Sequence, residues 1–152
     1  AYEMASGYFD AGLSATDRAL RTVALQTAEG MDDEGWRKDA AFSLHQVVER
    51  AYGCFLLTHT FYFPRSHNIK FLRSLAEDKE QRLVEAWPRD SKIDRRRFEL
   101  LKRAYVEARY SPSYEIGADD LAALAEAASM LRDIVGQLCA ERIEQLRREA
   151  AN

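Results

Sequence analysis

Three prolines divide this sequence of 152 residues into long stretches with helical periodicity, and no other feature constrains the fold as strongly. Pro64, Pro88 and Pro112 each fall between two such stretches. Within the stretches, apolar residues recur every three or four positions, as they do on one face of an α-helix. No alternating pattern typical of strands interrupts them. The sequence therefore predicts an all-α fold.

The periodicity predicts five helices, at about residues 2–28, 36–59, 68–78, 94–109 and 118–149, and a further short turn before Trp87. The second helix is expected to be the most buried, because residues 51–57 are apolar almost all round. Asn68 is a suitable N-cap for the short third helix. The last helix would be about 48 Å long, so its turns after Leu138 are predicted to project beyond a compact body. The residues predicted to face inward on the first and fourth helices are Met4, Phe9, Leu13, Leu20, Val23, Phe98, Leu101, Tyr105 and Ala108.

Composition is that of one globular domain, with 47% hydrophobic and 31% charged residues. The net charge of −3 does not indicate a nucleic-acid-binding protein, although a local basic patch is compatible with it. No apolar run is long enough to span a membrane. Cys54 and Cys139 are expected to be buried free thiols, which suits a cytoplasmic protein. We interpret residues 1–152 as a single domain. The start at Ala1 leaves open that it is the C-terminal fragment of a longer protein.

The three histidines are the side chains whose unperturbed pKa lies nearest neutrality. His45 lies beside the apolar stripe of the second helix, and Glu49 follows one turn later. We interpret His45 as a structural, hydrogen-bonded residue, the alternative being a base oriented by a carboxylate. His59 is predicted to cap the same helix. His67 lies beside Arg65 just before a helix start, a position suited to a phosphate group.

A cluster of cations and aromatic rings lies at the end of the fourth helix. Lys102 and Arg109 fall on one strip of the helix, and Tyr110 and Tyr114 flank Pro112. Guanidinium groups beside aromatic rings suit a nucleotide. The alternative, which composition alone favours, is that Arg109 compensates the helix dipole. The sequence contains no metal-binding, nucleophile-elbow or glycine-loop motif, so no catalytic residue, metal ligand or cofactor is predicted.

Three blocks in this order resemble the HEPN domain: FSLHQVVERAYGCFLL (42–57), PRSHNIKFL (64–72) and RRFELLKRAYVEARYSPSY (96–114). They are most similar to the bacterial form found beside, or fused behind, a minimal nucleotidyltransferase. The resemblance implies an up-down helical bundle of four long helices and a short one, a homodimer, and a cleft that binds a nucleotide. Many HEPN members are metal-independent RNases in which His follows Arg by four to six residues. No histidine follows Arg103 or Arg109 here.

The predicted function is a non-catalytic nucleotide-binding and dimerisation module that supports a nucleotidyltransferase, as in a toxin–antitoxin-like system. One alternative is a protein-interaction bundle without a ligand. The other, disfavoured by the missing Arg–His motif, is an RNase that uses His45 or His67. The residues predicted to bind the nucleotide or another phosphate-bearing ligand are Arg109, Tyr110, His67, Arg65, Lys102 and His45.

Overall fold

A computed structural model describes all residues of the chain, 1–152, and it is entirely helical. The elements in chain order are α1 (Tyr2–Gly30), α2 (Glu34–Thr60), α3 (Ile69–Lys79), the 3₁₀-helix η1 (Gln81–Ala86), α4 (Lys92–Tyr110) and α5 (Ala118–Ala151). The all-α bundle of four long helices and a short one is confirmed. Every predicted helix end lies within two residues of the observed end.

Local side-chain chemistry explains where three of the helices begin. The Asp33 carboxylate accepts a hydrogen bond from the backbone N–H of Trp36 at the start of α2. The Asn68 side chain accepts from two backbone N–H groups in the first turn of α3, as predicted. The Ser91 hydroxyl accepts from the N–H of Asp94 in α4. Each cap satisfies donors that the first helical turn leaves without partners.

Helix α2 is the centre of the bundle and packs against α1, α3, α4 and α5. Its apolar residues Ala40, Leu44, Val47, Ala51 and Phe55 have no solvent-exposed surface, which confirms the prediction. Helix α1 approaches α2 closely at Gly12, where an added Cβ would lie 2.7 Å from the Cβ of Cys54. Cys54 and Cys139 are both buried and free, as expected.

Helices α1 and α5 run antiparallel along their length. Arg132 donates two hydrogen bonds, of 2.7 and 3.0 Å, to the Asp17 carboxylate. Near the ends of the two helices, Arg147 of α5 lies close to Tyr2 of α1. Leu146 is buried, so the prediction that all the turns after Leu138 project freely is wrong for this residue. The start of α1 therefore lies beside the end of α5.

Two side chains, one apolar and one aromatic, lie in places that the sequence pattern did not predict. Met4 is 55% exposed, and α1 instead buries the smaller Ala5, Thr16, Ala19 and Val23, which permit a close approach of helices. Tyr114 is fully buried, and its hydroxyl donates to the carbonyl oxygen of Leu100 over 2.8 Å, so it belongs to the core rather than to an exposed loop. None of the helices combines the length and apolar character that a membrane span requires.

Candidate functional site

Tyr105, half-buried on α4, is the neighbour that three of the predicted site residues share. Its ring is stacked on His67, with centroids 4.3 Å apart and 15° between the planes. The ring of His45 lies 5.2 Å away at 31°. The guanidinium carbon of Arg109 is 6.0 Å from the Tyr105 centroid. The fold thus brings together His45, His67 and Arg109 from α2, the 61–68 loop and α4.

Arg109 is held by aromatic rings rather than by a carboxylate. Its guanidinium carbon lies 4.0 Å from the centroid of Phe42 and 5.0 Å from that of Tyr110. Its one hydrogen bond within the protein is a long contact of 3.5 Å from Nη2 to the carbonyl oxygen of Tyr105. Arg103, on the same helix, instead donates two hydrogen bonds to Glu107. Most of the donors of Arg109 are therefore free to bind an anion.

His67 is fixed by Glu49 of α2. Nδ1 of His67 lies 2.6 Å from Oε1 of Glu49, whose side chain is only 14% exposed. An ionised carboxylate can only accept, so Nδ1 carries the proton and donates. The other ring nitrogen, Nε2, is then available to a ligand, because 58% of the His67 side chain is exposed. This pairing orients the imidazole and stacks it on Tyr105.

His45 lies deeper than the other two histidines. It has no exposed surface, and neither of its ring nitrogens has a hydrogen-bond partner. Burial lowers the pKa of His45 to about 4, and the backbone of His67, close by but not in hydrogen-bond geometry, partly opposes this shift. The sequence predicted that His45 is a structural residue with a hydrogen bond, and the hydrogen bond is absent. The Glu49 carboxylate pairs with His67 instead.

The remaining predicted residues lie at the periphery. Tyr110 is 74% exposed beside Arg109. Lys102 is half-buried, and its amine lies 3.7 Å from Glu99, which offsets part of its charge. Arg65 is exposed and makes no ion pair or side-chain hydrogen bond. His59 is separate from the cluster: burial lowers its pKa, and its Nδ1 lies 3.0 Å from the carbonyl oxygen of Phe55 in its own helix.

Three residues of the cluster were not singled out from the sequence as site residues: Phe42, Glu49 and Tyr105. Phe42, His45 and Glu49 are spaced by three and four positions, so they share one face of α2. Tyr105 and Arg109 have the same relation on α4. This helical spacing is the signal in the sequence that could have identified the three residues. We expected Tyr105 to be core and considered Glu49 only as a partner for His45.

Residues 17–142 match the HEPN domain family. This chain belongs to the HEPN family. The matched stretch runs from the middle of α1 into the last third of α5 and contains every residue of the cluster around Tyr105. Membership indicates a nucleotide-related or RNase-type module of a kind that commonly dimerises. A comparison with curated proteins found no match. No three His, Cys, Asp or Glu side chains are grouped in a way that could hold a metal ion.

Proposed function

We propose that this HEPN protein binds a nucleotide, or another phosphate-bearing ligand, at the cluster around Tyr105. The observation that supports this most directly is the position of Arg109. Its guanidinium is fixed over Phe42 at 4.0 Å with no carboxylate partner. A cation that is positioned but not neutralised binds a phosphate through strong, charge-assisted hydrogen bonds.

The neighbouring residues supply the other contacts in this proposal. His67 faces the ligand with its free ring nitrogen, and the exposed ring of Tyr110 offers a surface on which a base can stack. Arg65 and Lys102 add positive charge at the edge. The ring of His45 packs against the ring of Tyr105. His45 does not contact the ligand, because it is fully buried.

The proposal includes a non-catalytic role, as a homodimer that supports a nucleotidyltransferase domain or partner. The resemblance of the three sequence blocks and the lack of a histidine after Arg109 support this role. The two free buried thiols are in keeping with a cytoplasmic location. If calorimetry detects no nucleotide binding and the dimer is stable, the alternative of a protein-interaction bundle without a ligand is favoured instead.

Calorimetry with ATP and GTP tests the ligand site. Arg109→Ala should weaken binding roughly tenfold to a hundredfold, since hydrogen bonds to charged groups contribute about 1.5–3 kcal/mol. The melting temperature should change little, because Arg109 is exposed. Arg103→Ala is the matched control on the same helix, and it should leave affinity unchanged. Unchanged affinity of Arg109→Ala with a large fall in melting temperature would show a scaffold residue.

A second candidate, a metal-independent RNase, is favoured by one observation, the Glu49–His67 pair. A histidine oriented by a carboxylate can accept the proton of a ribose hydroxyl, and Arg109 could stabilise the charge that develops on the phosphate. Incubating the protein with tRNA and mRNA, with and without a chelator, separates the two functions. Chelator-resistant cleavage that His67→Ala abolishes would establish the nuclease and overturn the non-catalytic role.

A further inference from the structure

A second cationic cleft, of about 390 Å³, lies between α3, the 87–91 loop and α4. Four cationic and two carboxylate side chains line it, so its formal charge is four minus two, or +2. The whole chain carries −3. Positive charge is therefore concentrated at this cleft. The charged lining residues are Lys70, Arg73, Arg89, Arg95, Glu77 and Glu99.

Two of these arginines form a fixed wall around one carboxylate. Glu77, only 13% exposed, accepts from Nε of Arg73 at 3.2 Å and from both terminal nitrogens of Arg89 at 3.1 and 2.7 Å. The guanidinium of Arg73 also lies over the ring of Phe98, with its carbon 4.4 Å from the centroid. One carboxylate thus holds two guanidinium groups in place and neutralises only one of their charges.

The other two cations have no carboxylate partner. Arg95 donates to the carbonyl oxygen of Arg89 over 2.8 Å, and the amine of Lys70 forms no ion pair. Glu99, the second acid of the lining, lies 3.7 Å from Lys102, which stands outside the lining. Lys70 and Arg95 are exposed and can turn towards a ligand without disturbing the core.

We propose that this cleft binds a compact phosphate-bearing anion of the diphosphate type, through Lys70 and Arg95, with Arg73 and Arg89 as its fixed wall. A volume of about 390 Å³ lies at the small end of ligand pockets, which span roughly 300–1,000 Å³. Apart from Phe98 and Pro88, the lining is polar, so it recognises the phosphates and not a base. The cleft shares no residue with the cluster around Tyr105, and this inference does not depend on the function proposed for that cluster.

Calorimetry with inorganic pyrophosphate at low ionic strength tests this proposal, and it is performed on the Arg109→Ala variant so that binding at the cluster around Tyr105 is weakened. One equivalent should bind. Adding Lys70→Ala and Arg95→Ala should weaken binding at least tenfold, since each removes a charge-assisted contact, while the melting temperature stays the same. Arg21→Ala, an exposed arginine on α1 without an ion pair, is the matched control and should leave the affinity unchanged.

Lack of pyrophosphate binding in the Arg109→Ala variant, or binding that Lys70→Ala and Arg95→Ala leave unchanged, would overturn the proposal. ADP provides a further measurement in the same variant. ADP that binds no more tightly than pyrophosphate supports recognition of phosphates alone, and ADP that binds more than tenfold more tightly contradicts it. Because Arg109 is absent from this assay, failure of the Tyr105 site would not affect the result.

Discussion

Nδ1 of His67 lies 2.6 Å from Oε1 of Glu49, so a loop residue is bonded to a helix residue eighteen positions earlier. This hydrogen bond attaches the 61–68 loop to α2. It also holds the imidazole parallel to Tyr105 at 4.3 Å. The orientation of His67 is therefore set by a side chain that contacts no ligand in our proposal.

Glu49→Ala should weaken nucleotide binding about tenfold, because His67 loses the partner that orients it and the contacts of Arg109 remain. Glu49→Gln keeps an acceptor for Nδ1 and should lie between the wild type and Glu49→Ala. Calorimetry measures the affinity, and the NMR chemical shifts of the imidazole report whether the surroundings of the His67 ring change. If Glu49→Ala changes neither, the bond has no role in binding.

His45 should make the protein less stable as the pH falls. Its pKa is about 4 in the folded state and near 6.5 in an unfolded chain, so below pH 6.5 the unfolded state binds more protons. The free energy of unfolding should fall by roughly 2 kcal/mol between about pH 7.5 and pH 5 from this residue alone. Denaturant unfolding at several pH values measures the effect.

The matched variant for this prediction is His45→Phe. Both ring nitrogens of His45 lack partners, so an apolar ring should change stability at neutral pH by less than about 1 kcal/mol. The variant should also lose the part of the pH dependence that His45 contributes, while the part due to His59, whose pKa is also lowered, remains. A pH dependence identical to that of the wild type would show that His45 is not the titrating group.

Leu44→Ala and Phe55→Ala should each destabilise the protein by about 2–5 kcal/mol, because both side chains are fully buried in α2. Chemical denaturation gives the free energies. Met4→Ala is a useful control, since Met4 is 55% exposed and should contribute little. A loss below about 1 kcal/mol in both core variants would place the centre of the core elsewhere.

The isolated chain should form a homodimer, with twice the monomer mass of 17.4 kDa. The apolar side chain of Val106 is 63% exposed on α4, so it offers part of a surface for a second copy. Light scattering at high micromolar concentration measures the mass. A monomer under these conditions would exclude self-association of this chain and leave a different partner.

The fold could be predicted because its signals are local. The apolar repeat of α2 and the cap at Asn68 depend only on residues a few positions apart. The candidate site depends on contacts between distant segments. Arg109 and His67 were both predicted to bind the ligand, and the structure places both of them beside Tyr105, which was predicted only as a core residue. Helical spacing could not show whether Glu49 pairs with His45 or with His67, because that choice depends on how the 61–68 loop crosses α2.

The antiparallel pairing of α1 and α5 implies that the bundle is not equally stable along its length. Ala5 and Leu146 are buried but lie outside the main core cluster, which on α5 ends at Cys139. Few apolar contacts hold this end, so its backbone amides should exchange with deuterium through local fraying. Amides of α2 should exchange only when the whole domain unfolds. A second protein bound at the paired ends would be detected first as slower exchange there.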